Sequence, residues 1–135
     1  MSKGKRGADL APMEEFLPIA RKLRGEREAR DWTLTEASKR TGISVTFLSE
    51  VERALKAPSA LAIRDLARAY DIDESELAAA YGKTPLLVQK DLSERTDVLR
   101  MIYDIKNTNK LTEDEKDDFY KRVLELYHAS VEGKE

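Results

Sequence analysis

Apolar residues recur along this chain at three- and four-residue intervals. Nowhere do Val, Ile and Thr alternate with polar residues over a strand length, so the pattern predicts an all-α fold. A first helix is predicted from about Glu14 to Pro18 through Arg30, with Ile19, Ala20, Leu23 and Arg27 on one stripe. Thr33 caps a second over Leu34 to Arg40, and Glu36, three residues on, is placed to complete a capping box. Thr41-Gly42 ends it, because glycine readily takes the left-handed conformation that closes helices. Ile43 follows as a buried pivot, and Ser44 caps a third helix from Val45 to about Arg53. Its Leu48 and Val51 face inward while Thr46, Ser49, Glu50 and Arg53 face outward. Ser59 caps a fourth helix to about Tyr70, with Ile63, Leu66, Ala67 and Tyr70 at core spacing, and Asp73 with Glu76 opens a short fifth ending at Tyr81-Gly82.

Beyond these five helices, residues 83–92 read as a linker, with Thr84-Pro85 and the apolar run after it as an alternative extra helical turn. Two longer helices follow, Ser93 to Lys106 and Thr112 to about Val131, joined by a tight turn at Asn107-Thr108-Asn109. Thr112 and Glu115 form a second predicted capping box, and the acids Glu113, Asp114, Asp117 and Asp118 crowd the first turn, where the helix dipole favours anions. The expected organisation is an N-terminal arm over 1–15, a helical domain over 16–82, the linker, and a C-terminal helical hairpin within 93–135. Val98, Met101, Ile102 and Ile105 on one helix and Phe119, Val123, Leu126 and Tyr127 on the other are more apolar surface than one hairpin covers. Such a surplus predicts that the segment dimerises with a second chain through these residues.

Composition bounds the function classes. The chain has 135 residues, 41% of them hydrophobic and 37% charged, enough for one domain with an appendage. It has no cysteine, so disulfides and thiolate metal sites are excluded. No stretch approaches the length of a membrane span, and Met1 to Gly7 lacks the apolar core of a secretory signal, so a cytoplasmic location is expected. Twenty-four Lys and Arg against 26 Asp and Glu leave a net charge of −2. The distribution is more telling: residues 21–56 hold nine basic against six acidic side chains, while 83–135 hold ten against twelve.

A helix of about eight residues, a glycine turn and a helix of about nine has the form of a helix-turn-helix. Leu23-Arg24 with Arg27, the run from Trp32 to Arg53, and Pro58-Ser59 closely resemble the Xre family of phage-repressor-like transcriptional regulators, over about residues 19–78. The resemblance implies a five-helix lambda-repressor-like domain, a double-stranded DNA partner and a homodimer on a pseudo-palindromic operator. It implies base-facing positions at Ser44, Val45, Thr46, Ser49 and Glu50, and backbone-facing positions at Thr33, Leu34, Lys39, Arg40, Arg53, Lys56 and Ala57. It also implies a buried ion pair between Arg27 and Glu52. The chain departs from the family pattern at Leu34, where glutamine is frequent, at Glu50, where a base is frequent, and at Ala54, where glycine eases the turn. Glu50 either accepts from a cytosine amino group or pairs with a neighbouring base. Val45 and Thr46 suit a thymine methyl.

Other features read as ordinary structure. His128 has no second histidine or cysteine for a metal, and Asp71-Ile72-Asp73 lacks the glycine and closing glutamate of a calcium loop. The acids at 113–118 suit a solvated first turn, and no phosphate loop or hydrolase motif is present, so neither enzyme, cofactor nor metal is expected. Trp32 reads as a core or hinge residue between the first two helices rather than a base-stacking platform. Lys3, Lys5 and Arg6 read either as a disordered terminus or as an arm reaching DNA. The competing function is a protein-binding adaptor, or an antitoxin-like partner, that keeps the helix-turn-helix fold; Leu55 and Leu61, apolar at loop and helix-start positions, motivate it.

Overall fold

A computed structural model describes residues 11–134, and the basic arm residues Lys3, Lys5 and Arg6 lie outside them. Among the described residues there are eight α-helices and no strand. A 3-10 turn at Glu14–Phe16 leads into α1 (Leu17–Ala29), followed by α2 (Leu34–Thr41), α3 (Val45–Glu52), α4 (Ala60–Tyr70) and α5 (Glu74–Ala80). Then come α6 (Leu86–Glu94), α7 (Thr96–Asn107) and α8 (Glu113–Val131). No helix among the described residues is long and apolar enough to cross a membrane. The chain divides into two compact units between Lys90 and Asp91.

In the first unit the amphipathic stripes meet as their spacing requires. Leu23 of α1, Ala37 of α2, Leu48 and Val51 of α3, Ile63, Leu66 and Tyr70 of α4, Leu77 of α5 and Tyr81 just after it form one buried cluster. Each large aliphatic side chain so buried contributes about 1.5–3 kcal/mol. The α4 helix packs against α5, α2 and α1, and α2 and α1 both pack on α3, so α3 is held from two sides. Ile43, expected as a buried pivot, is half-buried against this cluster.

A polar clasp fixes the same helices. Arg27 of α1 donates from Nε to Glu52 Oε2 at 2.7 Å and from Nη2 to Glu52 Oε1 at 2.8 Å, a bidentate pair between side chains only 14% and 8% exposed. Its remaining nitrogen, Nη1, donates to the Trp32 carbonyl at 2.9 Å, so one guanidinium ties α1, the α1–α2 turn and the end of α3. The Glu52 carboxylate holds the Arg27 pKa above its ordinary value. Arg30 makes a second bridge: Nη2 donates to the Tyr70 carbonyl at 2.8 Å, and the guanidinium lies over the Trp32 and Tyr70 rings. Trp32 is thus the hinge between α1 and α2, its ring 5.8 Å from that of Tyr70.

Residues 83–92, expected as a linker or as one extra helical turn after Pro85, hold most of α6, which runs on to Glu94. Pro85 precedes its first turn, where the missing N–H costs nothing, and the Gln89 N–H closes that turn on the Pro85 carbonyl at 3.0 Å. The helix expected from Ser93 begins instead at Thr96, because Arg95 (φ −108°, ψ 71°) breaks the chain's helical course. In the second unit α8 opens with the full capping box: Thr112 Oγ1 accepts from Glu115 N at 3.1 Å and Glu115 Oε1 accepts from Thr112 N at 3.0 Å. The two stripes expected to share a hairpin seam do so only near the turn. Ile105 is buried and Val98 and Phe119 half-buried, but Met101, Ile102, Val123, Leu126 and Tyr127 are exposed.

Two outcomes follow from this packing. Truncating Arg27 or Glu52 alone leaves the survivor's charge uncompensated and is expected to destabilise the chain by about 3 to 5 kcal/mol. In a double-mutant cycle by urea unfolding, additivity within ~0.5 kcal/mol would show the two side chains to be independent. The Tyr81 hydroxyl, buried beside Phe16, has its pKa pushed up to about 12. Because the unfolded chain loses this proton near pH 10, the folded state holds it through the window between, and stability present below pH 10 falls as pH rises to about 12. The loss is on the order of 2 to 3 kcal/mol. Tyr81→Phe should remove that share of the alkaline slope, leaving the contribution of Tyr70, whose pKa burial also raises; equal slopes in chain and variant would contradict the assignment.

Candidate nucleic-acid interface

The turn between α2 and α3 is determined atom by atom. Thr33 Oγ1 accepts from Glu36 N at 3.1 Å and starts α2. The reciprocal half of the expected capping box is not made, because the Glu36 carboxylate is drawn to Arg40 one turn on, at 2.9 Å. At the other end Gly42 adopts φ 77°, ψ 6°, and its N–H donates to the Ser38 carbonyl at 2.8 Å. A Cβ there would meet nothing within 4 Å, so glycine serves the left-handed conformation and not a lack of space. Thr41, buried, donates from its hydroxyl to the Ala37 carbonyl at 2.8 Å and accepts from Ile43 N at 3.1 Å. Ser44 Oγ accepts from Phe47 N at 3.1 Å and starts α3.

With Leu48 and Val51 buried, the helical period turns Val45, Thr46, Ser49 and Glu50 away from the core. Ser44, Val45 and Thr46 are exposed; Ser49 and Glu50 are half-buried. The Ser44 hydroxyl is already engaged as a cap, which leaves Thr46 and Ser49 as the hydroxyls of this face. Glu50 makes no ion pair among the described residues, in contrast to Glu52 two positions away. The face therefore presents a branched aliphatic, two hydroxyls and one carboxylate. It has no Arg, Lys, Asn or Gln between positions 44 and 52.

Basic side chains sit on either side of this face in sequence. Lys39 and Arg40 are exposed on the last turn of α2. Arg40 lies over the Trp32 ring at 5.1 Å as well as pairing with Glu36, and an exposed i, i+4 pair of this kind contributes little, so its guanidinium is available to another anion. Past α3, Arg53 and Lys56 are exposed, with Arg53 Nε 3.3 Å from the Ser49 carbonyl. Thr33 is exposed, whereas Leu34 and Ala57 are half-buried and pack on the core. Ala54, just after α3, is buried at φ 58°, a left-handed position that costs a non-glycine residue about 1–2 kcal/mol. Its carbonyl accepts from Met13 N at 2.8 Å, so the strained residue also anchors the segment leading into α1.

Arg30 was not among the expected site residues, since its bond to Tyr70 spans forty positions and leaves no mark in local spacing. No group of three or more His, Asp or Glu side chains is placed to hold a metal among the described residues.

Comparison with known proteins agrees with this geometry. Residues 18–80, which include all of α2, the turn and α3, match the family described as helix-turn-helix domain. The uncharacterized HTH-type transcriptional regulator YazB of Bacillus subtilis (strain 168) is 40% identical over 58 residues, covering 43% of this chain and 84% of that protein. No solved structure matches the chain. With the α2–Gly42–α3 unit at the centre of that match, the chain belongs to the helix-turn-helix family.

Proposed function

We propose that this protein is a transcriptional regulator of the Xre type. It reads double-stranded DNA with α3 and acts as a homodimeric repressor on a pseudo-palindromic operator. The observation that carries this reading is the outward face of α3, Val45, Thr46, Ser49 and Glu50, held rigidly by the Gly42 turn on one side and the Arg27–Glu52 clasp on the other. A helix fixed in this way and bare on one side fits the major groove. Ser44, Val45, Thr46, Ser49 and Glu50 face base edges in this reading. Thr33, Leu34, Lys39, Arg40, Arg53, Lys56 and Ala57 lie along the phosphates, of which the Lys and Arg side chains carry the counterion-release term. The 16–82 segment is the reading domain, and the tail dimerises through Val98, Met101, Ile102, Ile105, Phe119, Val123, Leu126 and Tyr127, most of which are exposed in the single chain. The YazB name, that of a transcriptional regulator, supports the same direction.

A second reading keeps the fold but makes the unit a protein-binding adaptor or antitoxin-like partner. The half-exposed Leu61 at the start of α4 favours it.

The contact sets are expected to separate on mutation. Arg53→Ala and Lys56→Ala should weaken binding to every duplex about equally and reduce the salt slope by about one unit each. Thr46→Ala and Ser49→Ala should instead lower discrimination between operator and scrambled duplex by ~1 to 3 kcal/mol, with the slope unchanged. Glu50→Gln should tighten binding to scrambled duplex by removing a carboxylate from the groove, and relax preference at a cytosine if Glu50 reads one. Affinities measured at several salt concentrations for all five variants test this, and values unchanged throughout would move α3 off the DNA and favour the adaptor.

A further inference from the structure

The α8 helix carries a second apolar stripe besides the one that starts at Phe119. Tyr120, Leu124, Tyr127 and Val131 recur at intervals of four, three and four residues, the spacing of a helix–helix seam. All four are between 42% and 58% exposed. At its base the Phe119 stripe is turned toward the end of α7: Phe119 is half-buried, Ile105 is buried, and Lys116, 12% exposed, donates from Nζ to the Lys106 carbonyl at 3.3 Å. Nothing within the described chain covers the Tyr120 stripe.

We infer that this stripe is the seam for α8 of a second copy, packed antiparallel, a pairing that rests on the dimer reading above and specifies its geometry. The spacing four-three-four reads the same in both directions. Reversed upon itself, the stripe sets Tyr120 opposite Val131 and Leu124 opposite Tyr127, an aromatic against an aliphatic in every layer. A parallel pair instead stacks Tyr on Tyr and Leu on Leu. Charge points the same way. Asp117, three residues before Tyr120, makes no ion pair among the described residues, nor does Lys134, three residues after Val131 and just past the helix end. Antiparallel packing brings Asp117 of each copy to the Lys134 end of the other, whereas parallel packing opposes like charges at both ends. The acid-rich first turn of α8, with Glu113, Asp114 and Glu115, also lies at the favourable pole of its own dipole, and antiparallel dipoles attract. The isologous contact that results has the two-fold symmetry of closed dimers.

The absence of cysteine makes disulfide mapping clean in the full chain. Tyr120→Cys and Val131→Cys chains, folded together and oxidised, should give a mixed disulfide dimer, while each variant alone should not cross-link. Residues eleven apart on a helix are ~16 Å apart along its axis, beyond the reach of a disulfide. Cross-linking of either variant with itself would overturn the antiparallel pairing. A charge exchange gives an independent readout. Asp117→Lys should weaken the dimer about fivefold in sedimentation, and adding Lys134→Asp in the same chain should restore it. A chain that sediments as a dimer but fails both tests would overturn the α8 seam and leave the dimer reading standing, whereas a chain that stays monomeric would overturn both.

Discussion

The Arg27 guanidinium is the point through which the first unit is organised. A carboxylate and a guanidinium removed from water are costly to desolvate, and the cost is offset by three directed hydrogen bonds from the guanidinium, two to Glu52 and one to the Trp32 carbonyl. Apolar packing alone would let α1, α2 and α3 slide over one another at small cost, since hydrophobic contact is non-directional. The planar fork accepts one geometry. It fixes the far end of α3 relative to α1, while the Trp32 carbonyl fixes where α2 begins, so the attitude of α3 is set by hydrogen-bond direction as well as by volume.

At the near end of α3 a conformational constraint does the same work. Gly42 at φ 77° turns the chain through a state unfavourable to other residues, and Thr41 and Ser44 spend their hydroxyls on the turn itself. What remains on the outward face is chemically sparse. It lacks any side chain able to grip guanine or adenine by two hydrogen bonds, and Glu50 adds a charge that phosphates repel. On the DNA-reading proposal, affinity for a polyanion would come from Lys39, Arg40, Arg53 and Lys56 around the face, and selectivity from methyl and hydroxyl contacts inside it.

The parts of this structure legible in the sequence are those decided within one helical turn. Thr33, Ser44, Ser59, Asp73 and Thr112 each accept from the backbone N–H three residues on, as their side chains and spacing predict. Glu36 shows the limit of that logic: at Thr112 the partner glutamate returns to the cap, but Glu36 has Arg40 one turn away and goes there instead. The α6 helix was obscured because Pro85 is both a breaker and a good first-turn residue. The Arg27–Glu52 pair, twenty-five residues apart, came from family likeness and not from spacing. Arg30 with Tyr70, forty apart, had no such guide. The outward positions of α3 followed from the burial of Leu48 and Val51, but the commitment of Ser44 to its cap needed coordinates. In the tail, periodicity marks Val123 and Leu126 as positions for a second chain to cover, and it overlooks Tyr120, Leu124 and Val131, whose stripe lies beside the expected one.

In the dimeric regulator proposed above, the two halves would bear on each other through concentration. An α3 face without a bidentate base contact would bind one half-site weakly, and a single chain leaves Tyr120, Leu124, Tyr127 and Val131 in water. Pairing through α8, as proposed, would offset both deficits at once, burying the stripe and tethering a second α3 near a second half-site at an effective concentration far above that of free chain. Operator occupancy would then rise more steeply than linearly with chain concentration, because dimer formation and DNA binding would be linked equilibria in which each favours the other. Regulation of such a protein need not touch α3. In that dimer, anything that competes for the α8 stripe would lower affinity for DNA by returning each α3 face to its weak, solitary state.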